Sequence, residues 1–256
     1  MIIYGNGAAW WPNIDSPRPP LLSVENSNNI IISGITIQDS PKYNLVLLNS
    51  GSLTVHDIYI KDPQSSPNTD GIHIYQAVTN LEFYNCIVDN GDDFIAINSS
   101  GSNPVENLNF HDMTLISGHG ASIGSAIYAY ISNIIFENFT LNDCSYGLRI
   151  KAGSSNKTSC TVSNVTYDNI TMTNIANQLE YDNGDKGNSQ VKLHDISYTN
   201  VTSNTFGNYA SFILDNVQFT EVQNTNPNDP NNKIQEVNDK SFTVSGGTVL
   251  VNINPN

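Results

Sequence analysis

The chain has 256 residues, a length at which all-β sandwiches, barrels and solenoids often form a single domain. It carries 10 basic and 24 acidic residues, yet only 13% of its residues are charged, about half the usual share. Its 38 asparagines disfavour helical bundles and coiled coils, because Asn competes with the helix for backbone hydrogen bonds. The scarcity of Lys and Arg disfavours nucleic acid and anionic membranes as partners, and no apolar run approaches the length of about 18 residues that spans a bilayer.

Three cysteines, Cys86, Cys144 and Cys160, show none of the paired spacings of a metal site. They allow one disulfide at most, and we expect Cys144 and Cys160 to form it. The N-terminus has neither the charged start nor the apolar stretch of a signal peptide. Export therefore has no support in the residues themselves.

A short phrase returns eight times along the chain: an alternating strand, one Asn, Asp or Gly, and a second alternating strand. In chain order these anchor residues are Gly34, Asp57, Asn85, Asp112, Asn138, Asn169, Asp195 and Asn216, separated by 21 to 31 residues. Apolar residues stand two and four positions before every anchor, and one and three positions after it. Alternation with a period of two predicts strands with one buried face, and the change of phase at the anchor predicts a bend.

Repeats of this length, with short strands and no helical segment, favour a parallel β-helix. We predict an all-β, single-stranded, right-handed parallel β-helix of about eight or more coils, with residues 1–256 in one domain. Coils stacked at about 4.8 Å would align the repeated asparagines in a ladder of side-chain amides. A β-sandwich, with strands at intervals of about 8 to 12 residues, is the alternative, but it leaves the coil period of the apolar positions unexplained.

Between successive repeats lies another apolar strand, and charged or polar residues stand near its start. Four such segments contain Asn68-Thr69-Asp70, Gly91-Asp92-Asp93, Gly118-His119-Gly120 and Arg149-Ile150-Lys151. The intervals between Asp70, Asp93, His119 and Arg149 are 23, 26 and 30 residues, so we expect these four on consecutive rungs. Three steps of about 4.8 Å would place the arginine about 14 Å from the first aspartate, in a groove with carboxylates at one end. Arg149 and Lys151, two apart on a strand, would point to one face.

Each segment has an ordinary structural explanation when it is taken alone. Asp-Gly and Gly-Asp-Asp are common in turns, a His between glycines is often a flexible turn residue, and Arg-Ile-Lys is typical of an exposed strand. The shared coil spacing favours a functional site, because unrelated surface residues would not align on one strand of adjacent coils. Three clustered aspartates would also repel one another unless the site uses them.

In this order and spacing, the four segments resemble the signature motifs of the polygalacturonases, glycoside hydrolase family 28, which are right-handed parallel β-helices. The segment from Gly5 to Trp11, with its two tryptophans, resembles the Gly-rich stretch that precedes those motifs in the family. The resemblance implies hydrolysis of α-1,4-galacturonosyl bonds in pectate, with inversion and endo action. It also implies no metal or cofactor, and a secreted monomer whose partner is homogalacturonan, without nucleic acid or membrane.

By this resemblance Asp92 matches the general acid that protonates the leaving oxygen, and Asp70 and Asp93 match the pair that activates water. His119 matches a histidine that supports the proton of the acid. The substrate-binding residues that the resemblance implies, beginning with the cations for the sugar carboxylate, are Arg149, Lys151, Tyr181, Gln178 and Asn68. The residues themselves leave open which of the adjacent aspartates is the acid, because neighbours on a regular strand face opposite ways, and a bulge is needed there. An inverting enzyme is expected to hold its acid and base about 6.5–9.5 Å apart.

The chain departs from the family pattern in places. It starts almost at the Gly-rich segment, so we expect an N-terminal coil, its cap and a signal peptide to be missing. Phe94 stands where many members have Cys, and Gly124-Ser125-Ala126 differs from the usual continuation, which leaves the subsites open. The alternatives are an exo-acting or xylogalacturonan-cleaving relative, a pectate lyase, and an inactive carbohydrate-binding β-helix.

Overall fold

The computed structural model describes residues 1–100, 103–152, 160–182, 191–203, 213–224 and 243–247, and for residues 178, 181, 182, 203, 213–224 and 243–247 it describes the backbone alone. These residues contain two 3₁₀ helices, Gly7–Ala9 and Trp11–Asn13, and no helix long and apolar enough to cross a membrane. Their strands are β1 (Ile2–Tyr4), β2 (Leu22–Glu25), β3 (Asn28–Ser33), β4 (Thr36–Gln38), β5 (Leu45–His56), β6 (Tyr59–Lys61), β7 (Ile72–Asn90), β8 (Ile95–Ser99), β9 (Val105–Ser117), β10 (Ala121–Ile127), β11 (Ile131–Asn142), β12 (Tyr146–Lys151), β13 (Thr161–Thr173), β14 (Asn177–Asp182), β15 (Lys192–Ser203), β16 (Ile213–Asn224) and β17 (Thr243–Gly247).

The strands pair in parallel, each with strands of the coils before and after it. One sheet, which we call the site sheet, runs through β2, the starts of β5 and β7, β8, β10, β12 and β14. A second sheet runs through β3, β5, β7, β9, β11, β13, β15, β16 and β17. A third begins with β1, β4 and β6 and continues in the later parts of the long strands. Parallel pairing excludes the sandwich alternative, whose sheets are antiparallel.

The result is the predicted parallel β-solenoid, with about six turns. This is slightly fewer than the eight or more coils predicted. The difference arises because the last repeats add β16 and β17 to the second sheet but add no strand to the site sheet within the described residues.

The anchor residues bend the chain as predicted. From Gly34 to Asp195 the seven anchors have φ between 52° and 66°, in the left-handed region that Gly, Asn and Asp adopt most readily. The predicted amide ladder is also present, since Asn169 donates to Oδ1 of Asn138 at 2.7 Å and Asn138 donates to Oδ1 of Asp112 at 3.1 Å. The backbone bend and the side-chain ladder therefore depend on the same residues.

A second asparagine ladder, which the sequence did not predict, runs along the other end of the same strands. Asn107 donates to Asn80 at 3.2 Å, Asn133 donates to Asn107 at 2.9 Å, and Asn164 donates to Asn133 at 2.7 Å. These four residues also have positive φ. Two bends in each coil therefore account for much of the asparagine excess.

The core lies inside the coils and is built from the four apolar columns. From the second repeat to the seventh, these positions are all buried. Because the register is parallel, like residues stack: the ring centroids of Phe110 and Phe136 are 5.3 Å apart, those of Phe136 and Tyr167 are 4.9 Å apart, and those of Tyr167 and Tyr198 are 4.7 Å apart. Such stacking contributes beyond the burial of area.

The predicted disulfide is wrong. Cys86, Cys144 and Cys160 form no disulfide, and all three are buried. Cys144 lies two residues before β12 of the site sheet, whereas Cys160 immediately precedes β13 of the second sheet, so the two thiols do not meet. Burial raises the pKa of the Cys144 thiol to about 12, as expected of a packing residue without chemical reactivity.

Candidate active site

The three turns that enter β7, β8 and β10 bring the predicted acidic residues and the histidine together. The register of the site sheet aligns Ile72 with Ile95 and Ile95 with Ala121. Asp70, Asp93 and His119 each stand two residues before these positions, so they occupy the same place on three consecutive rungs. This part of the predicted row is confirmed.

The fourth member of the predicted row is wrong by three residues. Ala121 is aligned with Leu148, so the residue equivalent to His119 on the next rung is Tyr146. Arg149 instead opposes Ser122, in the next outward-facing row of the sheet. Sequence intervals of one coil length did not fix the register, because the loops between the rungs differ in length.

Arg149 and Lys151 share the outer face of β12, as predicted, with Ile150 fully buried between them. The two cations are engaged differently. Nε of the arginine lies 2.6 Å from Oε2 of Glu180 on β14, and its guanidinium lies 4.2 Å from the centre of the Tyr146 ring. These contacts hold the guanidinium beside the rung that continues from His119.

Asp92 and Asp93 lie in the irregular turn before β8, and not on the strand itself. The alternation of a regular strand does not apply there, so both carboxylates face the site. Ligand atoms of Asp92, Asp93 and His119 all lie within 4.8 Å of one another. The two adjacent carboxylates are thus closer than the separation of about 6.5–9.5 Å expected for an inverting pair.

Both carboxylate oxygens of Asp93 receive hydrogen bonds from the protein. The hydroxyl of Ser122 donates to Oδ1 at 2.8 Å, and the ammonium of Lys151 donates to Oδ2 at 2.6 Å. Asp93 is buried, with 4% of its surface exposed. The lysine, predicted to bind substrate, is therefore also the counter-ion of a buried aspartate two coils away.

Asp92 forms a hydrogen-bonded pair with His119, whose Nδ1 lies 3.1 Å from Oδ1. Backbone N–H groups of Asp93 and Asn68 also donate to this carboxylate, at 2.9 and 3.1 Å. Burial raises the pKa of Asp92, but the bond from the imidazole, its positive charge and the backbone donor together leave that pKa below its ordinary value. The same bond raises the pKa of His119. The imidazole therefore keeps its proton to higher pH than an isolated histidine, and Asp92 stays ionised to lower pH than an isolated aspartate.

Two glycines around His119 allow this approach. Gly118 has φ of 52°, and a Cβ on it would lie 2.4 Å from Oδ1 of Asn90. Gly120 has φ of 78°, and its Cβ would lie 2.1 Å from the carbonyl oxygen of Gly147. The Gly-His-Gly sequence is therefore required by a tight turn packed against its neighbours.

Asp70 has a partner that the sequence analysis did not identify. Nδ1 of His73, three residues further along the chain, lies 2.7 Å from Oδ2 of the aspartate, and both side chains are buried. Tyr43 stacks on the imidazole, with ring centroids 3.9 Å apart and an angle of 15°. Burial raises the pKa of Asp70 to about 6. The available signal was a histidine three positions after an aspartate, and the bend at Gly71 before β7 brings these two side chains together.

Arg18 is a second residue that the sequence analysis missed. Its guanidinium donates to the carbonyl oxygens of Pro41 and Pro67 at 2.9 and 2.8 Å, and to Oδ1 of Asn68 at 2.6 Å. It ties the turn that carries Asn68 to the turn ahead of β5. No local motif pointed to it, because its partners are about 20 to 50 residues away and are mostly backbone atoms.

Buried amides connect the turns beneath the carboxylates. Nδ2 of Asn90 donates to the carbonyl oxygens of Thr69 and Asp93, at 2.7 and 3.0 Å. Nδ2 of Asn44 donates to Asp62 at 2.5 Å and lies 3.2 Å from the carbonyl oxygen of Asp70. The backbone on which the catalytic candidates stand is thereby held on two coils at once.

Two further predicted contacts, Gln178 and Tyr181, lie on β14, but their side chains are outside the described residues. The backbone of Tyr181 opposes that of Ile150, and Glu180 opposes Arg149. The strand therefore extends the site sheet by one rung beyond the two cations.

The cluster of Asp92, Asp93 and His119 has the dimensions of a cation site, but its chemistry fits proton transfer better. The ammonium of Lys151 already neutralises Asp93, and the imidazole is paired with Asp92. A divalent cation would have to displace both of these positive partners. The donor set therefore favours a site that holds and moves protons.

Residues 1–246 match the family model of the glycosyl hydrolases family 28. The chain belongs to this family. A probable polygalacturonase of Arabidopsis thaliana is 37% identical over 153 residues, which are 58% of this chain and 32% of that protein. The chain therefore matches about a third of the length of this curated relative.

Solved structures agree with the fold. A polygalacturonase from Erwinia carotovora has a TM-score of 0.71 at 24% identity, over 93% of this chain and 60% of that one. Endopolygalacturonase I from Stereum purpureum, in complex with two galacturonates, has a TM-score of 0.67 at 26% identity, over 99% of this chain and 77% of that one.

Proposed function

We propose that this family 28 chain hydrolyses α-1,4-galacturonosyl linkages in polygalacturonate. The observation that carries the proposal is the set of groups on adjacent rungs of the site sheet. Three aspartates, two of them each bonded to a histidine, and two cations together supply an acid, a base and sites for a carboxylated sugar. Membership of the family supports the same reaction.

In the proposed mechanism Asp92 is the general acid. The carboxylate and His119 share one proton, which passes through Asp92 to the glycosidic oxygen as the bond to the anomeric carbon breaks. The bond from the imidazole lowers the pKa of Asp92, and the same imidazole holds the proton that Asp92 passes on. A general acid works best when its proton is available near the working pH, and the shared proton meets this need.

Asp70 and Asp93 are the proposed water-activating residues. They lie on consecutive rungs, about 4.8 Å apart along the solenoid axis, which leaves one water within reach of both. The proposed step is inverting: water attacks directly and no covalent intermediate forms. The anomer of the first product, observed by proton NMR, tests it.

Arg149 and Lys151 are the proposed sites for the substrate carboxylate. A planar guanidinium can bind a carboxylate with two parallel hydrogen bonds, and an ammonium adds a point charge. Each cation is already paired with a carboxylate of the protein, Glu180 or Asp93, so the substrate carboxylate would share it. Asn68, Gln178 and Tyr181 are proposed as further sugar contacts on the neighbouring rungs.

Endo action is part of the proposal, because candidate groups extend over several rungs along the groove and can bind more than one sugar. The test is incubation of the purified chain with polygalacturonate, with and without chelator, beside the Asp92→Asn variant. We expect viscosity to fall faster than reducing ends appear, no effect of chelator, and no turnover by the variant. Galacturonic acid as the sole early product would indicate exo action, and unsaturated, ultraviolet-absorbing products that vanish with chelator would indicate a lyase.

The proposed substrate is a cell-wall polysaccharide, so we propose that the chain acts outside the cell as a secreted, monomeric single domain. Gel filtration at several concentrations tests the monomer. A mass that rises with concentration would contradict it.

A further inference from the structure

The two proposed water-activating aspartates differ in how their oxygens are used. Asp93 accepts from Ser122 at one oxygen and from Lys151 at the other. Asp70 accepts from His73 at Oδ2, and among the described residues no protein group donates to its Oδ1. A proton taken from water must bond to a carboxylate oxygen, so the oxygen without a protein donor is the better acceptor.

The contact between Asp70 and His73 fixes the direction of that oxygen. An ionised carboxylate accepts only, so Nδ1 of the imidazole carries the hydrogen of this 2.7 Å bond. The ring of Tyr43, stacked at 3.9 Å, restricts rotation of the imidazole, and the ammonium of Lys42 lies 4.5 Å from the centre of that tyrosine ring. The histidine is thus held as a donor in one orientation.

We propose that His73 is a positioning residue that keeps Asp70 ionised and oriented, so that Asp70 and not Asp93 takes the proton of the attacking water. The proposal rests on the proposed hydrolysis. In that step water gives one proton to Oδ1 of Asp70 while its oxygen bonds to the anomeric carbon. The bond to the leaving oxygen breaks, and that oxygen takes its proton from Asp92.

The surroundings of Asp70 make this donor necessary. Burial is the largest influence on its pKa and raises it, the negative charges of Asp93 and Asp92 raise it further, and the bond from His73 opposes them. The tyrosine at the stack stays neutral, because burial raises the pKa of Tyr43 to about 12. The other titratable or charged groups that face the pair, from β7, the turns and the N-terminal loop, are Tyr75, Lys42 and Arg18.

A matched pair of variants separates the donor from the ring. His73→Phe keeps a ring that can stack on Tyr43 but has no donor, whereas His73→Asn places an amide Nδ2 where Nδ1 stands and has no ring. Loss of a hydrogen bond to a charged group corresponds to a shift of about one to two pH units. We expect the apparent pKa of the acidic limb in the pH profile of kcat/KM to rise by that amount in the Phe variant. In the Asn variant this pKa should not change.

If His73 had a purely structural role, both variants would lose activity or stability, and the acidic limbs of their pH profiles would have the same pKa. Equal limbs in the two variants, or a larger shift in the Asn variant, would overturn the proposal. If the Phe variant does not fold, His73→Met also removes the donor but has a flexible side chain. The same upward shift of the acidic limb is expected for it.

The titration of Asp70 can also be followed without substrate. Infrared difference spectra against pH, taken on the wild type and on Asp70→Asn, isolate the carboxyl band of this residue. The band should convert to carboxylate at higher pH in the Phe variant than in the wild type or the Asn variant. If the wild type does not hydrolyse polygalacturonate but the band shifts as expected, the proposed function fails and the His73–Asp70 coupling stands; if the protein is active and the band does not shift, the coupling fails.

Discussion

Replacing Asp70 by Asn should stabilise the fold at neutral pH while it abolishes hydrolysis. The carboxyl has 6% of its surface exposed, and burial raises its pKa from an ordinary value of 3.8 to about 6. Because the folded-state pKa is above the unfolded one, ionisation costs stability, and the cost appears as pH rises from about 4 to about 6. An amide has no charge to bury, and its oxygen can still accept from His73.

The size of the effect follows from the same values. The pKa of Asp70 is about two units higher in the folded state than in the unfolded state. Ionisation of this carboxyl therefore lowers the free energy of unfolding of the wild type by about 3 kcal/mol at pH 7 and above, and by about 0.5 kcal/mol at pH 4. Any change caused by the amide itself is the same at both pH values. The pH-dependent part of the gain is therefore about 2 kcal/mol.

Urea unfolding followed by circular dichroism at pH 4 and pH 7 measures this gain. Asp62→Asn is the matched control, because burial also raises the pKa of Asp62 to about 6, but its two oxygens accept from Ser40 and Asn44. In Asp62→Asn the side-chain NH₂ group would face one of these two donors, which leaves a hydrogen bond unmade. This variant should therefore lose stability at pH 4. Equal effects of Asp70→Asn at the two pH values would refute the reasoning.

Four further outcomes are expected. Asp92→Asn should abolish turnover while calorimetry still detects binding of oligogalacturonate, and a near-native rate would remove the acid assignment. Arg149→Ala should raise KM for de-esterified pectate about tenfold or more, as expected for a lost charged hydrogen bond, whereas Lys61→Ala, outside the groove, should not. Phe136→Ala should lower the free energy of unfolding by about 3–5 kcal/mol in urea, because it empties the centre of the aromatic stack. The alkaline limb of kcat/KM should lie above pH 6.5, since the bond to Asp92 raises the pKa of His119; a limb unchanged in His119→Asn would contradict the shared proton.

The repeat was predictable because a solenoid uses local rules. Each anchor needs a residue that adopts positive φ, and each strand buries every second side chain. The sequence therefore shows Asn, Asp or Gly at the anchors and alternating apolar residues in the strands. The aligned turns with Asp70, Asp93 and His119 were predictable for the same reason. The second asparagine ladder was missed because the residues on either side of it were assigned to the strands, and its own bend was not recognised.

Contacts between coils were less predictable. Arg149 was placed three residues out of register, because loop lengths vary between rungs and only hydrogen bonding fixes the alignment. Lys151 was predicted to bind substrate, but its ammonium also donates to Asp93, which lies 58 residues away in the sequence. Cys144 and Cys160 are close in sequence, yet the corner between two sheets separates them.

The sequence by itself determined the parallel solenoid, its coil period, the bends at Asn, Asp and Gly, and the aligned turns that carry Asp70, Asp93 and His119. These follow from local backbone preferences and from the alternation of apolar residues. Only the tertiary structure decided how the charges are paired: Lys151 on Asp93, His119 on Asp92, and His73 on Asp70. Protonation depends on burial and on atoms within hydrogen-bonding distance, and those distances exist only after the coils have stacked.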